Sequence, residues 1–153
     1  MPDGQTVEVA KMKFSATCPN NARTDVVSGE EEIVMDHPEP RGTGLGMSPI
    51  HTYLSGFMGC TNSTIHKLAK RAGTEVTALD LEMEVGLDRR GLTMDQVVEL
   101  PFVYAKTVVN ITIDASDEQL REMKDGLSEW CPIAKTFKNA GTEVIEEWNI
   151  TRP

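Results

Sequence analysis

Apolar and polar positions along the 153-residue chain fall into three strand-patterned blocks separated by two helical ones. In the first block Val7 and Val9 alternate, then Met12 and Phe14 resume on the other parity, as across a bulge. Residues 24–27 and 31–36 follow, set off by turn signals at Pro19-Asn20-Asn21 and Ser28-Gly29. These predict a three-stranded meander. Residues 37–46 carry two prolines and three glycines, which predicts an irregular, flexible lead-in to the next element.

That element is a long helix. Ser48 suits its N-cap and Pro49 its first position, where a missing N–H costs nothing. Ile50, Leu54, Phe57, Ile65, Leu68 and Ala72 keep a helical period until Gly73 stops it. Lys67, Lys70 and Arg71 fall in the last turns, complementing the helix dipole. A second stripe is small: Thr52, Ser55, Gly56, Gly59 and Ser63. Each interior glycine costs about 1 kcal/mol relative to alanine, so the stripe predicts close approach of another backbone or of a ligand.

Leu79, Leu81, Met83 and Val85 alternate with Asp80, Glu82 and Glu84, a strand with one buried and one wet face. Residues 88–98 read as a turn and irregular excursion. A long strand then runs from Phe102 to Ile113, with Val108, Ile111 and Ile113 expected to be partly buried. Ser116 and Gln119 form a capping box for a second helix, whose buried stripe would be Leu120, Met123, Leu127 and Trp130. Pro132 breaks it and restarts a short helix that Gly141 closes. A last strand carries Val144, Glu146, Trp148 and Ile150 on one parity. The whole is α+β: β-meander, long helix, β-hairpin, second helix, C-terminal strand.

A net charge of −9 argues against nucleic acid or an anionic membrane as partner. There is no transmembrane-length apolar run and no signal-peptide pattern, so a cytoplasmic location is expected. With that location, three cysteines are not a disulfide framework. His37, His51 and His66 form no zinc spacing with them, so no metal is expected. Nor does Gly42-x-Gly44-x-Gly46 have the strand–turn–helix setting of a nucleotide loop, so no cofactor is expected.

Chemistry therefore centres on thiols. Cys60 lies three turns into the long helix, beyond reach of its N-terminal dipole, so a thiolate there needs a cation delivered from elsewhere. Cys131 adjoins a helix restart, where free amides stabilise a thiolate. Taken by itself, each reads more readily as an inert buried cysteine. Cys18, in a turn, reads as a bystander.

The stretch from Gly46-Met47-Ser48-Pro49 through Gly59-Cys60-Thr61, with Trp130-Cys131-Pro132-Ile133 and Gly141-Thr142-Glu143-Val144, resembles the OsmC/Ohr family of osmotically induced and organic-hydroperoxide-resistance proteins. The resemblance spans nearly the full length, as one OsmC-like domain over residues 1–153. It implies an intertwined homodimer and a thiol peroxidase acting on organic hydroperoxides. In that scheme Cys60 attacks the peroxide, Cys131 resolves the sulfenic acid as a disulfide, and a dithiol reduces it. The family pattern has a glutamate just after the helix-opening proline, bonded to an arginine that stabilises the thiolate. Here Ile50 and His51 stand in the glutamate's place. Arg23 is the first choice for the arginine and Arg41 the second, while His51 is on the helix face opposite Cys60 and could act only across a dimer. That departure keeps a rival reading open: a non-catalytic module binding an apolar small molecule in the same pocket.

Overall fold

A computed structural model describes residues 6–153. The chain divides into two compact units, one ending at Leu54 and one comprising Ser55–Pro153. The N-terminal unit holds a meander, β1 (Ser15–Thr17), β2 (Thr24–Ser28) and β3 (Glu31–Met35), antiparallel throughout in the order β1-β2-β3. The first strand is shorter than its alternation predicts. Ser15 pairs with Val27, so β2 runs out one residue beyond, at the Ser28-Gly29 turn. Residues 6–14 have no strand left to pair with in this sheet, and Val7, Val9, Met12 and Phe14 stay exposed.

The glycine-rich segment after β3 is organised around one carboxylate, not loosely strung as expected. Asp36 is buried and accepts from the Thr43 hydroxyl (2.7 Å), the His37 amide (2.7 Å), the Thr43 amide (3.0 Å) and the Leu45 amide (3.2 Å). Its own N–H donates to Met47 O, closing the loop. Gly42 and Gly46 are needed here because a Cβ would collide with the backbone at His37 and Val34 respectively. Led by the Thr43 hydroxyl, these donors hold the Asp36 carboxyl down to about 2. A depressed carboxylate stabilises the fold above its unfolded pKa and loses that contribution as pH falls through its folded value. The Thr43 and Leu45 amides should therefore keep their exchange protection above about pH 4 and lose it between there and about pH 2. Hydrogen exchange against pH checks this.

Helix α1 (Pro49–Arg71) begins in the first unit and gives its remaining turns to the second. Ser48 Oγ accepts from the His51 amide (3.4 Å), and Gly73, at φ +77°, ends the helix. There Gly73 N–H donates to Lys70 O and Thr74 N–H to Ala69 O, a Schellman pair.

The C-terminal unit contains β4 (Val76–Leu87), a single turn α2 (Arg89–Leu92), β5 (Phe102–Ile113), α3 (Asp117–Trp130), α4 (Pro132–Asn139) and β6 (Glu143–Thr151). The sheet order is β4-β5-β6: β4 and β5 are the predicted antiparallel hairpin, whereas β6 returns parallel to β5 after the two helices. The inner face of β5 is Ala105, Thr107, Val109, Ile111 and Ile113, all buried, while Val108 is only half-buried on the other face. Ile65, Leu68 and Ala69 of α1 and Leu120, Met123 and Leu127 of α3 complete the core. The capping box at Ser116 and Gln119 is formed, and Gln119 Nε2 also donates to Ala72 O (2.7 Å), tying α3 to the end of α1. Trp130 departs from the predicted stripe. It is 62% exposed, with the Arg71 guanidinium over its ring at 5.1 Å, because Leu127 and Met123 already fill the core side of α3.

Candidate functional site

Pro132 creates the site's corner. The residue before a proline is driven to extended backbone, so α3 stops at Cys131 (φ −76°, ψ 111°), and the proline opens α4. Cys131 serves both helices: its N–H donates to Leu127 O (3.0 Å), its carbonyl accepts from Lys135 N–H (2.9 Å), and its Sγ accepts from the Ala134 amide (3.5 Å). Glu129 pairs with Lys138 (2.7 Å) and Lys135 (3.2 Å), holding α4 against the end of α3. Pairs this exposed are screened by water and contribute little. Behind the corner, Phe137 packs between Phe57 of α1 and Phe102 of β5, with ring centroids 5.1 Å apart in both pairs.

This packing brings the helix corner against the middle of α1. The Cys131 thiol donates to Cys60 Sγ across 2.9 Å, and both cysteines are free. Seventy-one residues of sequence separate them. Their settings differ in a chemically useful way. Cys131 is fully buried, whereas Cys60 is half-exposed and lines a groove of about 400 Å³ with Ser63, Thr64, Lys67, Leu68 and others. Burial pushes the Cys131 thiol up, and the hydrogen bond to Cys60 adds to that. The Ala134 and Ile133 amides pull the other way without prevailing. The expectation that the α4 N-terminus would favour a Cys131 thiolate is thus overturned: desolvation outweighs the amides. Burial thus favours the thiol form of Cys131, and Cys60 is the sulfur that reaches the groove.

Arg23, His51 and Arg41 belong to the N-terminal unit. Arg23 forms a two-pronged ion pair with Asp25, Nε to Oδ1 at 2.7 Å and Nη2 to Oδ2 at 2.9 Å, which raises its pKa further. Asp25 therefore supplies a carboxylate partner that inspection of Ile50 and His51 missed. His51 is exposed in the first turn of α1, and Arg41 is exposed on the loop, its amide donating to Pro38 O (3.2 Å). Cys18 is exposed in the same unit. The small stripe of α1 is open on the described chain: a Cβ at Gly56 or Gly59 would meet nothing within 4 Å.

Lys67, Arg71, Trp130 and Pro132 also line the groove, and the sequence reading missed them as site residues. The available signal was helical: Cys60, Ser63, Thr64, Lys67 and Arg71 step along one face. Gly126 helps shape that end, since a Cβ there would press on Leu68 Cδ2 (2.9 Å) and Trp130 Cδ1 (3.3 Å).

No described helix is long and apolar enough to cross a membrane. Comparison with known proteins gives a consistent family. Residues 42–147 match the sequence model of the OsmC-like proteins. No curated protein sequence matches significantly. Among solved structures, the OsmC-like protein of Mycoplasma pneumoniae superposes with a TM-score of 0.74 at 19% identity, covering 94% of this chain and 97% of that one. The organic hydroperoxide resistance protein OhrB of Bacillus subtilis gives 0.60 at 17% identity, covering 92% and 98%. An organic hydroperoxide resistance protein from Legionella pneumophila gives 0.61 at 15% identity, covering 95% and 99%. The matched segment includes both Cys60 and Cys131 and spans most of the chain: this protein belongs to the OsmC-like family.

Proposed function

We propose that the protein is a thiol-dependent peroxidase that reduces organic hydroperoxides. The observation carrying this reading is the sulfur pair itself, a partly exposed Cys60 held 2.9 Å from a buried Cys131. Relatives of the same fold named organic hydroperoxide resistance proteins are in keeping with it.

The Cys60 thiolate attacks the outer peroxide oxygen. The O–O bond breaks, the sulfur is oxidised to a sulfenic acid, and the alkoxide leaves as an alcohol after taking a proton. Cys131 then attacks the sulfenic sulfur. An S–S bond forms, and the hydroxyl departs with the Cys131 proton as water. A dithiol returns both cysteines to thiols and leaves as its own disulfide. Arg23, oriented by Asp25, is proposed as the cation that favours the Cys60 thiolate, with Arg41 and His51 as auxiliary groups. The working form is an intertwined homodimer of one-domain chains in the cytoplasm. The unpaired apolar residues Val7, Val9 and Phe14 and the open Gly56-Gly59 face are surfaces a second copy would cover.

A substoichiometric organic hydroperoxide should release its alcohol and leave Cys60 joined to Cys131. The contrary result is a hydroperoxide that binds without alcohol release and raises the melting temperature equally in the wild type and Cys60→Ser, the behaviour of a non-catalytic binding module.

A further inference from the structure

The groove at Cys60 carries charge that the reaction at sulfur does not use. Lys67 and Arg71 stand two and three turns beyond Cys60 on the same face of α1, and no carboxylate lines the groove with them. In a chain of net charge −9 that composition is unusual. Three other cavities of this unit all mix their signs: Asp117 and Asp125 face Arg121 in one, Glu82 and Glu84 face Lys106 in another, and Glu122 and Asp125 face Arg71 in the third. Among the described residues neither Lys67 nor Arg71 makes an ion pair; Arg71 lies over the Trp130 ring and borders the neighbouring cavity with Glu122 and Asp125 as well as this groove.

The lining is also ordered along the helix. The thiol is at one end, Leu68, Trp130 and Pro132 give an apolar wall, and the cations lie at the other end. Seven helical residues from Cys60 to Lys67 amount to about 10 Å, and eleven to Arg71 about 16 Å. Helical side chains lean back toward the N-terminus, so both cations are drawn toward the thiol end.

We propose that Lys67 and Arg71 form a carboxylate-binding subsite, selecting ligands whose reactive group meets Cys60 while an apolar stem carries a carboxylate to the far end of the groove. The idea rests on the peroxidase reading only for which ligand arrives. The carboxylate could belong to the hydroperoxide or to the dithiol reductant, since both must reach the same sulfur pair.

Binding separates the subsite from the reaction. Titration calorimetry at low salt should show octanoate binding at least about tenfold tighter than octanol, with the difference shrinking as salt screens the charges. The preference should survive Lys67→Arg and vanish in Lys67→Gln/Arg71→Gln. Equal binding of the two ligands by the wild type, or a preference that persists in the double variant, would overturn the subsite. Two half-reactions then identify the source: Cys60 oxidation by a hydroperoxide acid against its methyl ester, and disulfide reduction by a dithiol acid against its amide. Where both half-reactions run, a Lys67-dependent preference in either supports the subsite and names its ligand, and its absence from both counts against it. If octanoate preference holds while no hydroperoxide oxidises Cys60, the peroxidase reading fails and the subsite stands.

Discussion

Replacing Cys60 with serine is expected to lower hydroperoxide turnover with a dithiol reductant by more than about a thousandfold. A hydroxyl is neither ionised at neutral pH nor able to form the sulfenic acid that carries oxygen away from the substrate. The variant should fold normally, because Cys60 is half-exposed and lies against the groove, outside the apolar core. The matching change at Cys131 should behave differently. A Cys131→Ser protein should still consume about one equivalent of hydroperoxide in a single burst, since the attacking sulfur is intact, but should stall or over-oxidise without its resolving partner. Stopped-flow hydroperoxide consumption, followed by alcohol quantification, distinguishes the two. Equal steady-state rates for wild type and Cys60→Ser would place the chemistry elsewhere.

The second large effect is on stability. Leu127 is 1% exposed, packed among Met123, Leu120, Ile111 and Ile113, and its carbonyl receives the Cys131 amide at the end of α3. Leu127→Ala removes three buried carbon atoms and leaves a void that a sheet-backed core can only partly close. The expected cost is about 3 kcal/mol, within the usual 2–5 kcal/mol for such truncations. Trp130→Ala, one turn on but 62% exposed, should cost distinctly less. Urea unfolding of the two variants tests the assignment, and a larger loss for Trp130→Ala would mean that the core lies where the sequence stripe first suggested.

That comparison shows where local pattern suffices. Ser48-Pro49, Gly73, Ser116 with Gln119, and Pro132 mark helix ends because their effects act within a few residues. The alternations from Leu79 to Val85 and from Phe102 to Ile113 locate strands for the same reason. What escaped depends on distant partners. Phe14 cannot continue β1 because β2, ten residues later, has already turned, and the parallel return of β6 onto β5 is a choice of pairing, not of propensity. At the site, the Cys60 and Cys131 identities were legible through a family resemblance. Their 2.9 Å approach and the reversal of the expected Cys131 ionisation came from packing, which buries one sulfur and leaves the other on a groove. Lys67 and Arg71 suit the helix dipole by sequence alone, and only the groove shows what else they face. The Arg23–Asp25 pair escaped for a simpler reason: the partner carboxylate lies two residues away on β2, not on the helix where the family pattern places it.

In the proposed cycle Cys60 reacts first and Cys131 resolves it. The most direct measurement treats the reduced protein with a substoichiometric organic hydroperoxide, quenches with a thiol-blocking reagent, and maps the cysteine peptides by mass spectrometry. The expected product is a Cys60–Cys131 disulfide, with Cys18 still free and blocked by the reagent. In Cys131→Ser, the added oxygen should sit on Cys60. Oxidation confined to Cys18, with Cys60 and Cys131 both recovered as free thiols, would contradict it.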